Sequence, residues 1–182
     1  MKNILYLTRI IPDRIYLQLM YFKHFHKFID FKHPISFNEK LQYLKIFNRK
    51  PEYTQMVDKY LVKDYVAKKI GEKYIIPTLE KWNNVSEIDI SVLPEQFVLK
   101  CNNDSGGIVI CKSKKDFNEQ VAKTLLKKRL NNNGFWYGRE WPYKNMMPCI
   151  IAEKYLSNSS GKDLIDYKVH VFNGVPRFIL VC

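Results

Sequence analysis

From residue 13 onward the apolar positions recur with a helical period. Ile15, Leu17, Leu19, Met20 and Phe22 follow Pro12, a residue suited to the first position of a helix. Ser36 with Glu39 three residues later forms a capping box, and Leu41, Leu44 and Phe47 behind it predict a second helix that breaks before Pro51. A third helix is predicted over 54–70, with Val57, Leu61, Tyr65 and Val66 on one face and Gly71 as a left-handed C-terminal cap. Lys59 and Lys63 lie one turn apart beside that face.

The period then changes. Phe97 to Lys100 and Gly107 to Cys111 are short β-rich runs, separated by Asn102, Asn103, Asp104, Ser105 and Gly106, which reads as strand, tight loop and strand. Asp116 followed by Glu119 predicts the start of another helix, with Phe117, Val121, Leu125 and Leu126 turned inward, running out at 131–134. A loop rich in Trp136, Tyr137, Trp141 and Tyr143 leads to an apolar strand from Cys149 to Lys154. After a polar turn at 157–161, two strands meet at Asn173-Gly174, a dipeptide suited to a hairpin. The order is α+β. It divides into a helical region (1–72), an α+β subdomain carrying the glycine loop (73–148), and the start of a second subdomain (149–182). The second is expected to be incomplete, because 177–182 reads as the inside of a strand.

Composition adds a packed body and a strong charge. Hydrophobic residues make up 46% and aromatics 14% of 182 residues, too many for a disordered chain. Thirty Lys and Arg against eighteen Asp and Glu give a net charge of +12, which favours an anionic partner without naming it. Cys101, Cys111, Cys149 and Cys182 lack C-x-x-C spacing, so neither a zinc site nor a disulfide framework is implied, and a reducing cytoplasm fits. No apolar run reaches the roughly 18 residues that span a bilayer. Lys23, His24, His26, Lys27, Lys32 and His33 interleave with Phe22, Phe25, Phe28 and Phe31, a pattern open to an anionic membrane surface or to single-stranded nucleic acid. Spacing the aromatics by three also fits one buried side of a helix, and that is the expectation here.

Four segments could carry chemistry. In the loop 102–107, glycines let backbone amides approach a phosphate and Ser105 adds a hydroxyl, though a ligand-free hairpin loop has the same composition and the spacing is not that of a P-loop. Lys100, ending Phe97-Val98-Leu99-Lys100, places an ammonium beside that loop, where it suits phosphate oxygens or plain solvation. Ile150-Ile151-Ala152-Glu153-Lys154-Tyr155-Leu156 is an apolar strand ending in a carboxylate and a connector. Such a segment can offer an adenine an acceptor for its amine, backbone groups for its edge, and apolar walls. In Asp166-Tyr167-Lys168-Val169-His170, alternation puts Asp166, Lys168 and His170 on one face, fit for a ribose hydroxyl and a phosphate or for a cross-strand ion pair.

Taken in order, Pro34-Ile35-Ser36-Phe37-Asn38-Glu39-Lys40, Val57-Asp58-Lys59-Tyr60 with Tyr65-Val66 and Ile70-Gly71, Leu93-Pro94 to Lys100, Ile151 to Leu156, and Asp166-Tyr167-Lys168 to Phe172-Asn173-Gly174 resemble the TupA-like ATP-grasp family over nearly the whole chain. The resemblance implies an ATP cleft between two α+β subdomains. It implies Lys59 and Lys100 at the phosphates, Ser105, Gly106 and Gly107 as a lid, and Glu153 at the adenine amine. The backbone of Lys154 and Leu156 would meet the adenine edge, Asp166 would lie near the ribose, and Lys168 would face the phosphates. It further implies a ligase-type reaction joining a carboxylate to an amine through an acyl phosphate, in cell-surface polysaccharide or teichuronopeptide synthesis, with a surface-polymer precursor as partner. The site of action would be the cytoplasm or the inner face of the membrane. The family's magnesium ligands are expected in a C-terminal region that this chain lacks, so nucleotide binding is expected and turnover is not.

Overall fold

The computed structural model describes residues 8–157 and 164–182. The notable turn at 157–161 lies largely outside the described residues.

Helix α1 (Asp13–Phe25) follows Pro12 and ends at His26, whose φ of 55° makes it the left-handed cap. It buries Tyr16, Leu17 and Tyr21 while Ile15, Leu19 and Phe22 stay exposed, so the helix is apolar on two faces and the core selects only one. The phenylalanine tract is therefore not one buried helical side: Phe28 is exposed beyond the helix end, and only Phe31 is buried. Gln18 fixes this segment by donating to Ile29 O and accepting from Ile29 N, both at 2.8 Å. Helix α2 (Phe37–Phe47) starts at the Ser36–Glu39 capping box. Tyr43 and Ile46 of α2 join Tyr16, Leu17, Tyr21, Ile29 and Phe31 in a small helical core.

The helix predicted over 54–70 is two helices, α3 (Glu52–Val57) and α4 (Leu61–Ile70). They part at Asp58 because its carboxylate accepts from the amides of Tyr60 and Leu61, starting a new helix in place of continuing the old one. Gly71 does end α4, but at φ 101° and ψ 154° it occupies an extended region open only to glycine, not the left-handed cap conformation.

Strands β1 (Thr78–Trp82), β2 (Phe97–Cys101), β3 (Ile108–Cys111) and β4 (Ile150–Lys154) form one antiparallel sheet in the order β1-β4-β2-β3. Thus 150–154, read from sequence as opening the second subdomain, is a central strand of the first sheet. On one sheet face Phe97, Leu99, Cys101, Ile150 and Ala152 pack with Trp82 and with Leu126 of helix α5 (Glu119–Leu130). Helix α5 begins later than expected because Asn118, not Asp116, caps it by accepting from Val121 N at 3.0 Å. Its inward residues are consequently Ala122 and Leu126, and Val121 is exposed.

A short helix α6 (Phe135–Gly138) ends at Arg139, a fully buried guanidinium that faces the rings of Tyr16, Phe135 and Trp136 and donates to the Thr8 carbonyl. Asp13 lies 2.7 Å from Arg49 and 3.4 Å from Arg139, which joins the helical region to the sheet region. Strands β5 (Tyr167–Phe172) and β6 (Val175–Val181) form a separate exposed hairpin. Its turn is the expected Asn173-Gly174, with φ of 50° and 78°.

Candidate functional site

The sheet face opposite α5 carries the charge. Strand β2 pairs with β4 so that Lys100 lies opposite Ile151 and Val98 opposite Glu153, which makes Lys100 and Glu153 diagonal neighbours on one face. Their side chains form an ion pair, and Glu153 reaches Lys63 of α4 through its other oxygen at 2.7 Å. The carboxylate is buried between these two ammoniums, an arrangement that compensates its desolvation.

Lys63 was not among the expected site residues, although its position one turn from Lys59 was visible. Its ammonium also donates to Ile76 O at 2.8 Å and Thr78 Oγ1 at 2.6 Å. A cavity of 380 Å³ lined by Tyr60, Lys63, Pro77 and Thr78 opens beside it.

Lys59 enters from the turn between α3 and α4, and its ammonium donates to the Asp104 carbonyl. Burial, and next the nearby Lys100 ammonium, hold it below the ordinary lysine range, with Asp104 opposing the shift. The turn is held by a buried polar knot that sequence reading did not find. Asn102 donates to Asp58 Oδ2 at 2.8 Å and to Met147 O at 2.9 Å, and accepts from Cys149 N at 2.8 Å. Its backbone bonds Cys149 O at 3.0 Å, and the Lys59 amide reaches the Asn102 carbonyl at 3.5 Å. One side chain therefore locks the Lys59 turn, the end of β2 after Lys100 and the entry to β4 before Glu153.

In the expected lid, Ser105 and Gly106 are exposed and Gly107 is buried. Gly107 is required by close approach: a β-carbon there would lie 2.6 Å from Arg129 Cγ and 2.9 Å from Asp104 Oδ2. Arg129 stands 3.4 Å from the Asp104 carboxylate, so α5 holds the loop by charge as well as by contact. The amide of Lys154 donates to Pro77 O at 3.1 Å, which leaves only its carbonyl for a base edge. Leu156 is exposed at the end of that connector. Asp166 and Lys168 are not brought to this cluster. Asp166 exchanges backbone bonds with Cys182, and Lys168 Nζ sits 3.4 Å from Cys182 Sγ, both on the exposed hairpin.

The two carboxylates nearest the lysines are already engaged, Glu153 by two ammoniums and Asp104 by Arg129. Among the described residues, no grouping of three or more His, Cys, Asp or Glu is placed to hold a metal ion. These residues thus fit an anionic ligand better than a cation. Among the described residues, no helix is long and apolar enough to cross a membrane.

Antiparallel sheet, strand-end lysine, second lysine from a preceding helical turn and Glu-Lys connector are the features that the resemblance to ATP-grasp proteins implies. The family model for TupA-like ATPgrasp proteins matches residues 39–182, most of the chain, and the chain belongs to that family. No curated protein and no solved structure matches it.

Proposed function

We propose that this chain binds ATP over the charged sheet face, with Lys59 and Lys100 receiving the phosphates and the Glu153 to Leu156 segment receiving the adenine. The observation that carries this reading is the convergence of two half-buried ammoniums with donors to spare. Among the described residues, Lys59 bonds only the Asp104 carbonyl and Lys100 only Glu153. An ammonium kept partly out of water beside another ammonium gains by meeting an anion, and phosphate oxygens supply it.

The wider reading is a ligase-type role in cell-surface polysaccharide or teichuronopeptide synthesis, in which an acyl phosphate made from a carboxylate and ATP is attacked by an amine of a surface-polymer precursor. Family membership supports it. The residues described here would bind and orient the nucleotide and neutralise phosphate charge. ATP should raise the melting temperature, and Lys100→Ala should remove that rise. No rise at millimolar ATP would overturn the proposal.

The N-terminal tract supports a second, compatible reading as a contact for an anionic membrane at the cytoplasmic side. Ile15, Leu19 and Phe22 form an exposed helical stripe, Phe28 stacks on Phe22 at 4.8 Å, and Lys23, His24 and Lys32 are exposed around them. Vesicles containing phosphatidylserine should bind the chain in a salt-sensitive way that Phe22→Ser weakens. Equal binding to neutral vesicles would overturn this reading.

A further inference from the structure

Two lysines, Lys63 and Lys100, hold Glu153 and a third, Lys59, lies near Lys100; counting their protons separates them. An ammonium has three N–H donors. Lys63 spends all three, on Glu153 Oε1 at 2.7 Å, Ile76 O at 2.8 Å and Thr78 Oγ1 at 2.6 Å. Its side chain is 14% exposed, so water does not compete freely for those bonds. Lys59 and Lys100 each spend one donor on the described residues.

We infer that Lys63 is a positioning residue that selects the nucleotide base by holding the Glu153 carboxylate. The inference rests on the proposed ATP site and assigns within it a role that proximity to Lys59 alone would not give. Glu153 has two oxygens and two cationic partners. When phosphate oxygens draw the Lys100 ammonium, Lys63 still anchors Oε1, so the other oxygen remains presented as an acceptor for an exocyclic amine. Adenine offers that amine where guanine offers a carbonyl oxygen, which a carboxylate repels. Without Lys63, Glu153 would keep Lys100 as its sole cation. When phosphate then draws the Lys100 ammonium, nothing holds the carboxylate in place and the acceptor leaves the base edge. The bonds to Ile76 and Thr78 make Lys63 a rigid support, because they tie its ammonium to the chain just before β1, whose Thr78 lies opposite Glu153 in the sheet.

The test compares ATP, GTP and inorganic tripolyphosphate by titration calorimetry on the parent chain, Lys63→Met, Lys63→Arg and the double variant Lys63→Met with Glu153→Gln. The parent should prefer ATP to GTP at least tenfold. Lys63→Met should lose at least tenfold in ATP affinity and most of that preference, with tripolyphosphate affinity unchanged within about threefold. Lys63→Arg, which retains a charge on Glu153, should keep the preference in part, and this conservative variant decides the matter if Lys63→Met fails to fold. The double variant should bind ATP no more weakly than Lys63→Met, because both changes break one path. Retained preference in Lys63→Met, or a parallel fall in tripolyphosphate affinity that would make Lys63 a phosphate ligand, overturns the inference while leaving the ATP site standing. Absence of ATP binding by the parent chain overturns both.

Discussion

Replacing Asn102 by alanine should damage fold and site together. Its side chain is almost fully buried and satisfies three groups: Asp58 Oδ2, Met147 O and Cys149 N. Asp58 and Cys149 belong to buried residues, whereas Met147 is well exposed and its carbonyl can turn to water. Two orphaned buried groups at about 1–3 kcal/mol each, one of them a carboxylate, give a loss of about 4 kcal/mol. For a chain of this size that corresponds to a fall of roughly 8–16 °C in melting temperature. Urea unfolding followed by circular dichroism measures the first quantity and a thermal scan the second. ATP binding should weaken as well, since the Lys59 turn and the strand end after Lys100 share this anchor. Asn102→Asp sharpens the test: it sets two carboxylates against each other where a donor stood 2.8 Å from Asp58. That pair holds a proton more tightly when folded than when unfolded, so the variant should be more stable in mild acid than at neutral pH. A loss below about 1 kcal/mol for Asn102→Ala, or no acid recovery for Asn102→Asp, would refute this account of the knot.

Three further outcomes follow from individual residues. Lys59 is held below the ordinary lysine range, so the folded chain sheds that proton more readily than the unfolded one; the group costs stability at neutral pH and the cost is relieved as pH rises. Because a phosphate favours the charged form, ATP affinity should decline in alkali at a lower pH in the parent than in Lys59→Arg, and coincident pH profiles would disprove this. Glu39 is lowered to about 2, chiefly by the Ser36 amide, so its contribution to stability is complete above the usual 4.5 and lost as pH falls toward 2. Glu39→Gln should therefore destabilise at neutral pH and converge with the parent near pH 2, and Ser36→Ala should cost about 1 kcal/mol by chemical unfolding. Cys101, Cys111 and Cys149 are buried, with burial pushing the Cys101 and Cys149 thiols up to about 12 and about 11, while Cys182 is exposed. Native alkylation should add a single adduct by mass spectrometry and denaturation four; a second rapid native adduct would contradict the packing.

The local features of this fold could be read from sequence because each is closed within a few residues. The Ser36–Glu39 box and the Asn173-Gly174 turn depend on neighbours three positions away or fewer, and the β2 and β3 runs on a hairpin between consecutive strands. The errors arise where a distant partner intervenes. A single helical period runs through 54–70, yet Asp58 breaks it while bonding Asn102, 44 residues onward. Helix α1 has apolar residues on two faces, and only the packed structure reveals that Tyr16, Leu17 and Tyr21 enter the core. The strand at 150–154 was recognisable as a strand, but its place between β1 and β2 is a matter of topology that periodicity does not encode.

The site shows the same limit in sharper form, because a lysine's role is decided by its acceptors. Lys59, Lys63 and Lys100 are identical in chemistry; in the sequence Lys100 stood out by its strand end beside the glycine loop, and Lys59 only through a family pattern. Alternation along β2 and β4 assigns Lys100 and Glu153 each to one side of its own strand, but not to a common side, since a one-residue shift in pairing would separate them. The observed register makes them diagonal neighbours, the start of β1 comes up beside Glu153, and α4 lays Lys63 across both. Three acceptors then saturate Lys63, while Lys59 and Lys100 are left underused. An ammonium with every donor filled is a poor phosphate ligand and a good strut, whereas one that is half-buried with donors unfilled is the reverse. The division of labour among these lysines is therefore a property of strand register, and any substitution that shifts β4 by one residue against β2 should abolish it without touching a lysine.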